Sequence, residues 1–317
     1  MVRNLIRRSA MRAVLATASA VALLTGCNSS KSTSTATTTT VAGNSAAATG
    51  IVAASINVAS TSDGGVGYRE LGRGTPLVLI MGFGGTMDDW APDFIDALAA
   101  EHRVVVFDNA GVGETATLPS PLTISAMADQ TSALISSLHL GRVDVLGWSM
   151  GGMIAQALAV RHPAQVRSLV LAATQPGNGK SLPIPAAAAA EVLSSNLVIK
   201  LSVLFPAGQA PAARAYVASI LQYPARYQAS AAADTAEGTA IDEWIAGDDP
   251  AGPGIATLKV STLVADGTLD RLNPVANDDT LASTLVGAQL AIYPDAGHAF
   301  LFQDEPSFVA RVEQFLG

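Results

Sequence analysis

A single cysteine, Cys27, stands in the 317 residues. That excludes an intrachain disulfide framework and any metal centre built on several thiolates. Charge is scarce too: 14% of residues are charged, with 26 acids against 18 bases and a formal net charge of −8. Such a chain lacks the basic face that nucleic acid would require, so no nucleic-acid partner is expected. Aromatic residues make up 5%, leaving small and aliphatic side chains to supply most of the 49% apolar content. Long apolar runs are missing as well. The run from Ala13 to Leu24 is shorter than the about 20 residues a bilayer-spanning helix needs. Arg3, Arg7, Arg8 and Arg12 surround its start without any acid, and small residues close it. Residues 1–26 therefore read as a secretory signal peptide rather than as part of a fold.

The end of that segment, Leu24-Thr25-Gly26-Cys27, resembles the lipobox of bacterial lipoproteins. The resemblance implies lipidation of the Cys27 thiol, removal of residues 1–26, and a lipid anchor facing the extracytoplasmic side of the cell membrane. Removal takes away four arginines and no acid, moving the net charge from −8 to −12. Lipid chains, not charge, would then hold the protein at an anionic membrane. Residues 28–50 are a Ser/Thr/Ala/Gly stretch with almost nothing to bury, so 27–50 reads as a lipidated cysteine on a flexible tether.

From residue 51 to 317 the pattern is that of a folded body. Pro76–Met81, Arg103–Asp108, Val143–Gly147, Val166–Ala172, Val260–Ala265 and Ala288–Tyr293 are short β-branched or Leu-rich runs. Helical stretches at Trp90–Ala100, Ser125–Leu138, Met150–Arg161 and Pro306–Leu316 alternate with them. Runs that are apolar throughout predict strands covered on both faces, and the alternation predicts parallel βαβ units. Segments 51–59 and 66–71 suggest an antiparallel start to the sheet. Between about 175 and 255 the alternation stops, and Pro183, Pro185, Pro206, Pro211 and Pro224 punctuate Ala-rich helical pieces. A helical insertion there would lie above the C-terminal ends of the strands, where open α/β sheets bind ligands, and would serve as a cap.

Gly147-Trp148-Ser149-Met150-Gly151 joins a strand directly to a helix. A Gly-x-Ser-x-Gly motif in that position makes a sharp elbow presenting Ser149 as a nucleophile, with small neighbours to avoid clashes. A serine hydroxyl needs a base. Of the four histidines, His102, His139 and His162 fall at element ends and read as surface residues, whereas His298 follows the last strand, where a loop could return it to Ser149. The base needs an orienting carboxylate, and the segment after the preceding strand offers Asp266 and Asp270.

The order Ser149…Asp270…His298 resembles the α/β-hydrolase superfamily, whose acid lies in a Gly-x-x-Asp turn; here that turn is Gly267-Thr268-Leu269-Asp270. Asp266 precedes the glycine and remains the other candidate. The resemblance covers about residues 66–317. It implies an α/β-hydrolase fold: a mostly parallel central sheet flanked by helices, with a helical cap insertion. Leu79-Ile-Met-Gly-Phe-Gly-Gly85 matches the family's oxyanion loop, which implies that the backbone N–H groups of Phe83 and Met150 bind the oxyanion. Met81 stands where many members have histidine, and Ala110 replaces the arginine of the segment around Asp108, so hydrogen bonding behind the loop is expected to be weaker. Haloalkane dehalogenases and epoxide hydrolases of this fold carry aspartate at the elbow. Ser149 instead implies acyl chemistry on a small-molecule ester, with haloperoxidase- or perhydrolase-like and peptidase-like members sharing the same triad. A non-catalytic envelope binding protein of the same fold is the alternative from another class.

No cofactor or metal is expected. The Gly-rich 82–85 stretch lacks the lysine of a phosphate loop. The pairs Asp248-Asp249 and Asp278-Asp279 lack histidine partners and read as solvated turns and helix starts. Tyr216, Tyr223 and Tyr227 in the insertion could line a substrate pocket, or belong to the core or surface of the cap.

Overall fold

The β-branched runs do become strands: β1 (Asn57–Thr61), β2 (Gly64–Gly72), β3 (Thr75–Ile80), β4 (His102–Phe107), β5 (Val143–Trp148), β6 (Val166–Ala172), β7 (Ser261–Gly267) and β8 (Gln289–Tyr293). The computed structural model describes residues 49–224 and 227–317. The segments expected as signal peptide (1–26) and as tether, with Cys27, lie outside the described residues as far as residue 48. The strands form one eight-stranded sheet in the order β1-β2-β4-β3-β5-β6-β7-β8. β1 and β2 pair antiparallel, as does β2 with β4, and every pair from β4 to β8 is parallel. The segment expected as strand from residue 51 instead begins with a 3-10 turn, Gly50–Ala53, which packs Ile51 into the core before β1 starts.

Alternation along the strands sorts side chains onto two faces. Val78, Ile80, Val105, Val143, Val145, Leu171 and Val264 belong to one apolar cluster. Leu77, Leu79, Val104, Val106, Leu146, Val170 and Leu263 belong to the other. Both faces are covered, which is why the central strands are apolar at most positions, with Asp144 in β5 and Asp266 in β7 as buried exceptions. Helices α1 (Pro92–Leu98), α2 (Ile124–Ser137) and α3 (Met150–Arg161) follow β3, β4 and β5. α8 (Ala276–Thr284) follows β7, and α9 (Phe300–Gln303) and α10 (Glu305–Leu316) close the chain. α2 and α3 pack on the first face through Met127, Leu134, Ile154 and Leu158. α1 and α10 pack on the second through Phe94, Ile95, Phe308 and Val312.

Between β6 and β7 lie, among the described residues, no strand but four α-helices, α4 (Ala186–Val192), α5 (Leu197–Leu204), α6 (Ala210–Ile220) and α7 (Ala231–Ala246), followed by a 3-10 helix, Gly252–Thr257. α4 and α5 share only a small cluster of their own, Ala188 and Val203 with Leu272, and the other two helices join the main core. Trp244 and Ile241 of α7 join the first cluster, while Tyr216 and Ile220 of α6 join the second. Asp249, just past α7, accepts hydrogen bonds from Ser125 N and Ser125 Oγ at the start of α2. It is 2% exposed, so the expectation of a solvated turn fails. A carboxylate beside an unpaired helix N-terminus is held there by the amides it satisfies.

Candidate active site

β5 ends at Trp148 and α3 begins at Met150, so Ser149 alone turns the chain. Its φ of 58° and ψ of −121° lie where a side-chain-bearing residue is strained by about 1–3 kcal/mol. Neighbouring bonds hold it there: Ser149 N donates to Ala172 O at 2.9 Å, and Thr174 Oγ1 donates to Ser149 O at 2.7 Å. The flanking glycines are required by crowding. A Cβ at Gly147 would stand 2.3 Å from Gly151 O, and one at Gly151 would stand 1.9 Å from Ile80 O. β3, β5 and α3 meet too closely for any side chain.

His298 lies in the loop after β8, and its Nδ1 is 2.6 Å from Asp270 Oδ2 in the turn after β7. Both side chains are buried, at 3% and 0% exposure. The second Asp270 oxygen accepts from Leu272 N at 2.6 Å and Asn273 N at 2.9 Å, which fixes the carboxylate plane. The two loops are stitched together by Thr268 N to Tyr293 O and Leu269 N to Ala296 O. A Cβ at Gly267 would be 2.2 Å from Ala296 O, so the glycine of the acid turn is a close-approach residue. Trp148 ties the histidine to the elbow: its Nε1 donates to His298 O at 2.9 Å, and the two rings pack 5.6 Å apart. Among the described residues no hydrogen bond joins the Ser149 hydroxyl to the imidazole; such bonds often tighten only when substrate is bound.

Phe83 follows β3, next to the elbow. A Cβ at Gly82 would stand 3.1 Å from Ser149 Cβ, so this loop touches the serine. Met150 N opens α3 beside it. Among the described residues neither the Phe83 nor the Met150 N–H donates to a protein acceptor, which leaves both amides for a ligand. The position where many relatives carry histidine, Met81, is buried, and its carbonyl is held instead by Asn109 Nδ2 at 3.0 Å. Asp108 accepts from Met87 N at 2.7 Å, but its other oxygen is buried with no partner. Burial pushes its carboxyl up to about 6. The hydrogen bonding behind the loop is thinner at Asp108, as the missing arginine suggested, but intact at Met81.

Asp266 does not pair with His298. It accepts from Gly267 N and from Asn273 Nδ2, which also reaches Asp278 Oδ1 at 3.1 Å. Burial, with the charges of Asp270 and Asp278 beside it, holds the Asp266 carboxyl well above the ordinary range. Burial raises Asp278 in the same way. Asp278 and Asp279 stand in the first turn of α8 as expected of a helix start, but only Asp279 is exposed; Asp278 is fully buried, its Oδ1 accepting from Asn273 Nδ2.

Several side chains holding this site carried no motif in the sequence. Glu237 on α7 accepts from Gly84 N at 2.8 Å. Tyr216 OH donates to Asp89 O at 2.9 Å and Tyr223 OH to Trp90 O at 3.2 Å. Both tyrosines are buried and serve the cap-to-loop contact rather than an open pocket wall, while Tyr227 OH donates to Glu114 Oε1. His102, expected at the surface, is buried and meets Glu313 Oε2 at 3.0 Å. Among the described residues no group of acids, histidines or cysteine has metal-holding geometry.

A family profile for the alpha/beta hydrolase fold matches residues 75–305. The chain therefore belongs to the α/β-hydrolase family of enzymes. Among its relatives is a protein named as a candidate carbamate hydrolase, RutD, of Caulobacter sp. (strain K31). That protein is 30% identical over 259 residues, covering 76% of this chain and 90% of the relative. A candidate non-heme bromoperoxidase, BpoC, of Mycobacterium tuberculosis is 43% identical over 109 residues, covering 34% of this chain and 41% of its own. Among solved structures, an alpha/beta hydrolase fold protein from Chitinophaga pinensis superposes with a TM-score of 0.77 at 28% identity, covering 84% of this chain and 99% of that one.

Proposed function

We propose that the protein is a serine hydrolase that cleaves carboxylic esters through an acyl-Ser149 intermediate. The observation that carries this reading is the buried 2.6 Å His298–Asp270 pair, tied through Trp148 to a strained serine at the elbow. Ser149 Oγ attacks the substrate carbonyl while His298 takes its proton, and Asp270 holds the imidazole's tautomer and the charge it gains. The Phe83 and Met150 amides receive the oxyanion, where one such donor contributes on the order of 3 kcal/mol. His298 then protonates the leaving alcohol, water replaces it, and a second addition releases the acid and frees Ser149. A carbamate carbonyl, suggested by the name of the RutD relative, undergoes the same addition and belongs in the substrate screen.

A second reading rests on the 43% identical segment shared with BpoC. There hydrogen peroxide would replace water as the second nucleophile, giving a peracid from the same acyl-enzyme.

Cys27 is the proposed lipid attachment point, and 28–50 the tether of an enzyme working outside the cytoplasm. One experiment tests site and anchor together. A fluorophosphonate probe applied to fractionated cells should label the wild-type protein in the membrane fraction, the Cys27→Ala protein in the soluble fraction, and Ser149→Ala in neither. A folded wild-type protein that resists the probe sinks the serine-hydrolase reading, and an unmoved Cys27→Ala protein sinks the anchor.

A further inference from the structure

The loop Gly82–Gly85 has to hold one N–H in place, yet its sequence gives it unusual freedom. Gly84 adopts φ +64°, and glycines at 82, 84 and 85 leave the peptide planes free to rotate. Two bonds restrain successive planes. Gly85 N donates to Gly82 O at 3.3 Å, fixing the plane that carries the Phe83 N–H. The next plane carries Gly84 N–H, and that group donates to Glu237 Oε2 at 2.8 Å, across 153 residues of sequence. The first bond is long and local. The second is short and comes from the cap.

We infer that Glu237 is a positioning residue: by accepting the Gly84 amide from α7, its carboxyl fixes the loop whose Phe83 N–H would receive the oxyanion. The inference rests on the serine-hydrolase reading of Ser149 and Phe83. It also ties the cap to the chemistry, because Tyr216 and Tyr223 of the same insertion hold Asp89 and Trp90 further along the loop.

A carboxylate this close to a forming oxyanion would oppose it, so the charge state of Glu237 matters. The side chain is fully buried and its Oε1 meets no protein partner among the described residues. Asp234, one turn earlier on α7, also faces the loop: a Cβ at Gly84 would stand 3.2 Å from its Oδ1. The Lys200 charge on α5 acts on Asp234, and the loop residues 82–85 carry no ionisable side chain. Burial first, then the Asp234 charge, pushes Glu237 up to about 8 against the pull of the Gly84 N–H. At neutral pH Glu237 is thus an uncharged acid, able to accept from Gly84 without opposing the oxyanion. Above that range it gains a negative charge one residue from Phe83.

The test compares wild type, Glu237→Gln and Glu237→Ala on a neutral p-nitrophenyl ester from pH 6 to 9.5, with active sites counted by fluorophosphonate titration. Wild-type kcat is expected to fall on the alkaline side with a midpoint near the Glu237 value. Glu237→Gln keeps the acceptor without the proton, so it should stay within about threefold of wild type at pH 7 and lose the alkaline limb. Glu237→Ala should lower kcat by about tenfold or more with little change in KM, in the range seen when an oxyanion donor is disturbed. A merely structural role would lower the titrated fraction and leave kcat per active site unchanged. The inference is overturned if Glu237→Gln retains the wild-type alkaline limb, or if Glu237→Ala turns over within twofold of wild type. Should Glu237→Ala fail to fold, the Glu237→Gln profile decides alone. Turnover by wild type with indifferent variants overturns this inference only; a wild type with neither turnover nor labelling overturns the hydrolase reading as well.

Discussion

At the scale of single residues, the site separates two aspartates that the sequence could not. Asp266 and Asp270 lie four residues apart around Gly267, but only Asp270 points a free carboxylate oxygen at His298, 2.6 Å away. Asp266 sits one position before Gly267, still inside β7, where its oxygens are taken by Gly267 N and Asn273 Nδ2. Replacing Asp270 by Asn leaves the shape but holds the imidazole in the wrong tautomer, so kcat for ester turnover should fall on the order of 10⁴-fold. Asp266→Asn does not touch His298 and acts only through the network around Asn273, so it should cost less, about 10- to 100-fold. Steady-state kinetics on the two purified variants, with circular dichroism to verify folding, decide between them. Equal losses would mean that the carboxyl network, rather than Asp270 alone, supports His298.

Among the secondary-structure elements, the insertion behaves as part of the body rather than as a loose lid. α7 is fastened at its middle by Glu237 to the loop after β3 and near its C-terminal end by Trp244 Nε1 to Gln175 O. Just beyond it, Asp249 satisfies Ser125 N, Ser125 Oγ and Ala251 N. Losing that buried carboxylate leaves donors without acceptors, at a cost of roughly 1–3 kcal/mol. Asp249→Ala should therefore lower Tm by several degrees in calorimetry while Ser149 labelling per folded molecule is retained. A Tm equal to wild type would show that the clamp between α2 and the insertion contributes nothing to stability.

For the whole molecule, the unusual quantity is the number of buried or half-buried carboxyls raised above their ordinary range. Burial raises Asp108 to about 6, Glu237 to about 8 and Glu305 to about 7, and it also raises Asp266 and Asp278. In the unfolded chain all five ionise near pH 4 to 4.5. Above that pH the folded protein binds more protons than the unfolded one, so its stability falls as pH rises toward the folded values. Asp129 runs the other way: burial opposes its charge, but hydrogen bonds from Arg161 and His162 hold it below the ordinary range. Its contribution is present at neutral pH and lost in acid. Thermal unfolding followed across pH should therefore give a higher Tm near pH 5.5 than near pH 8.5, by about 5–10 °C for a chain of this size. A Tm that rises over that window would mean that these carboxyls are ionised in the fold.

The sequence by itself determined the alternation of strands and helices, the strand-to-helix elbow at Ser149 and the place of His298 after the last strand. These are local properties: apolar periodicity, glycine at a tight turn, and chain order survive without any knowledge of contacts. It also marked where the alternation stops, because prolines and alanines cannot mimic buried strands. Which aspartate faces His298, and what holds the oxyanion loop, only the tertiary structure decided. Those outcomes depend on parallel strands β3, β5, β7 and β8 bringing their C-terminal loops together, and on a bond between Gly84 and Glu237 that spans 153 residues. A glutamate on an Ala-rich helix carries no local sign of such a partner. Burial and distance make it part of the site, and both belong to the folded chain.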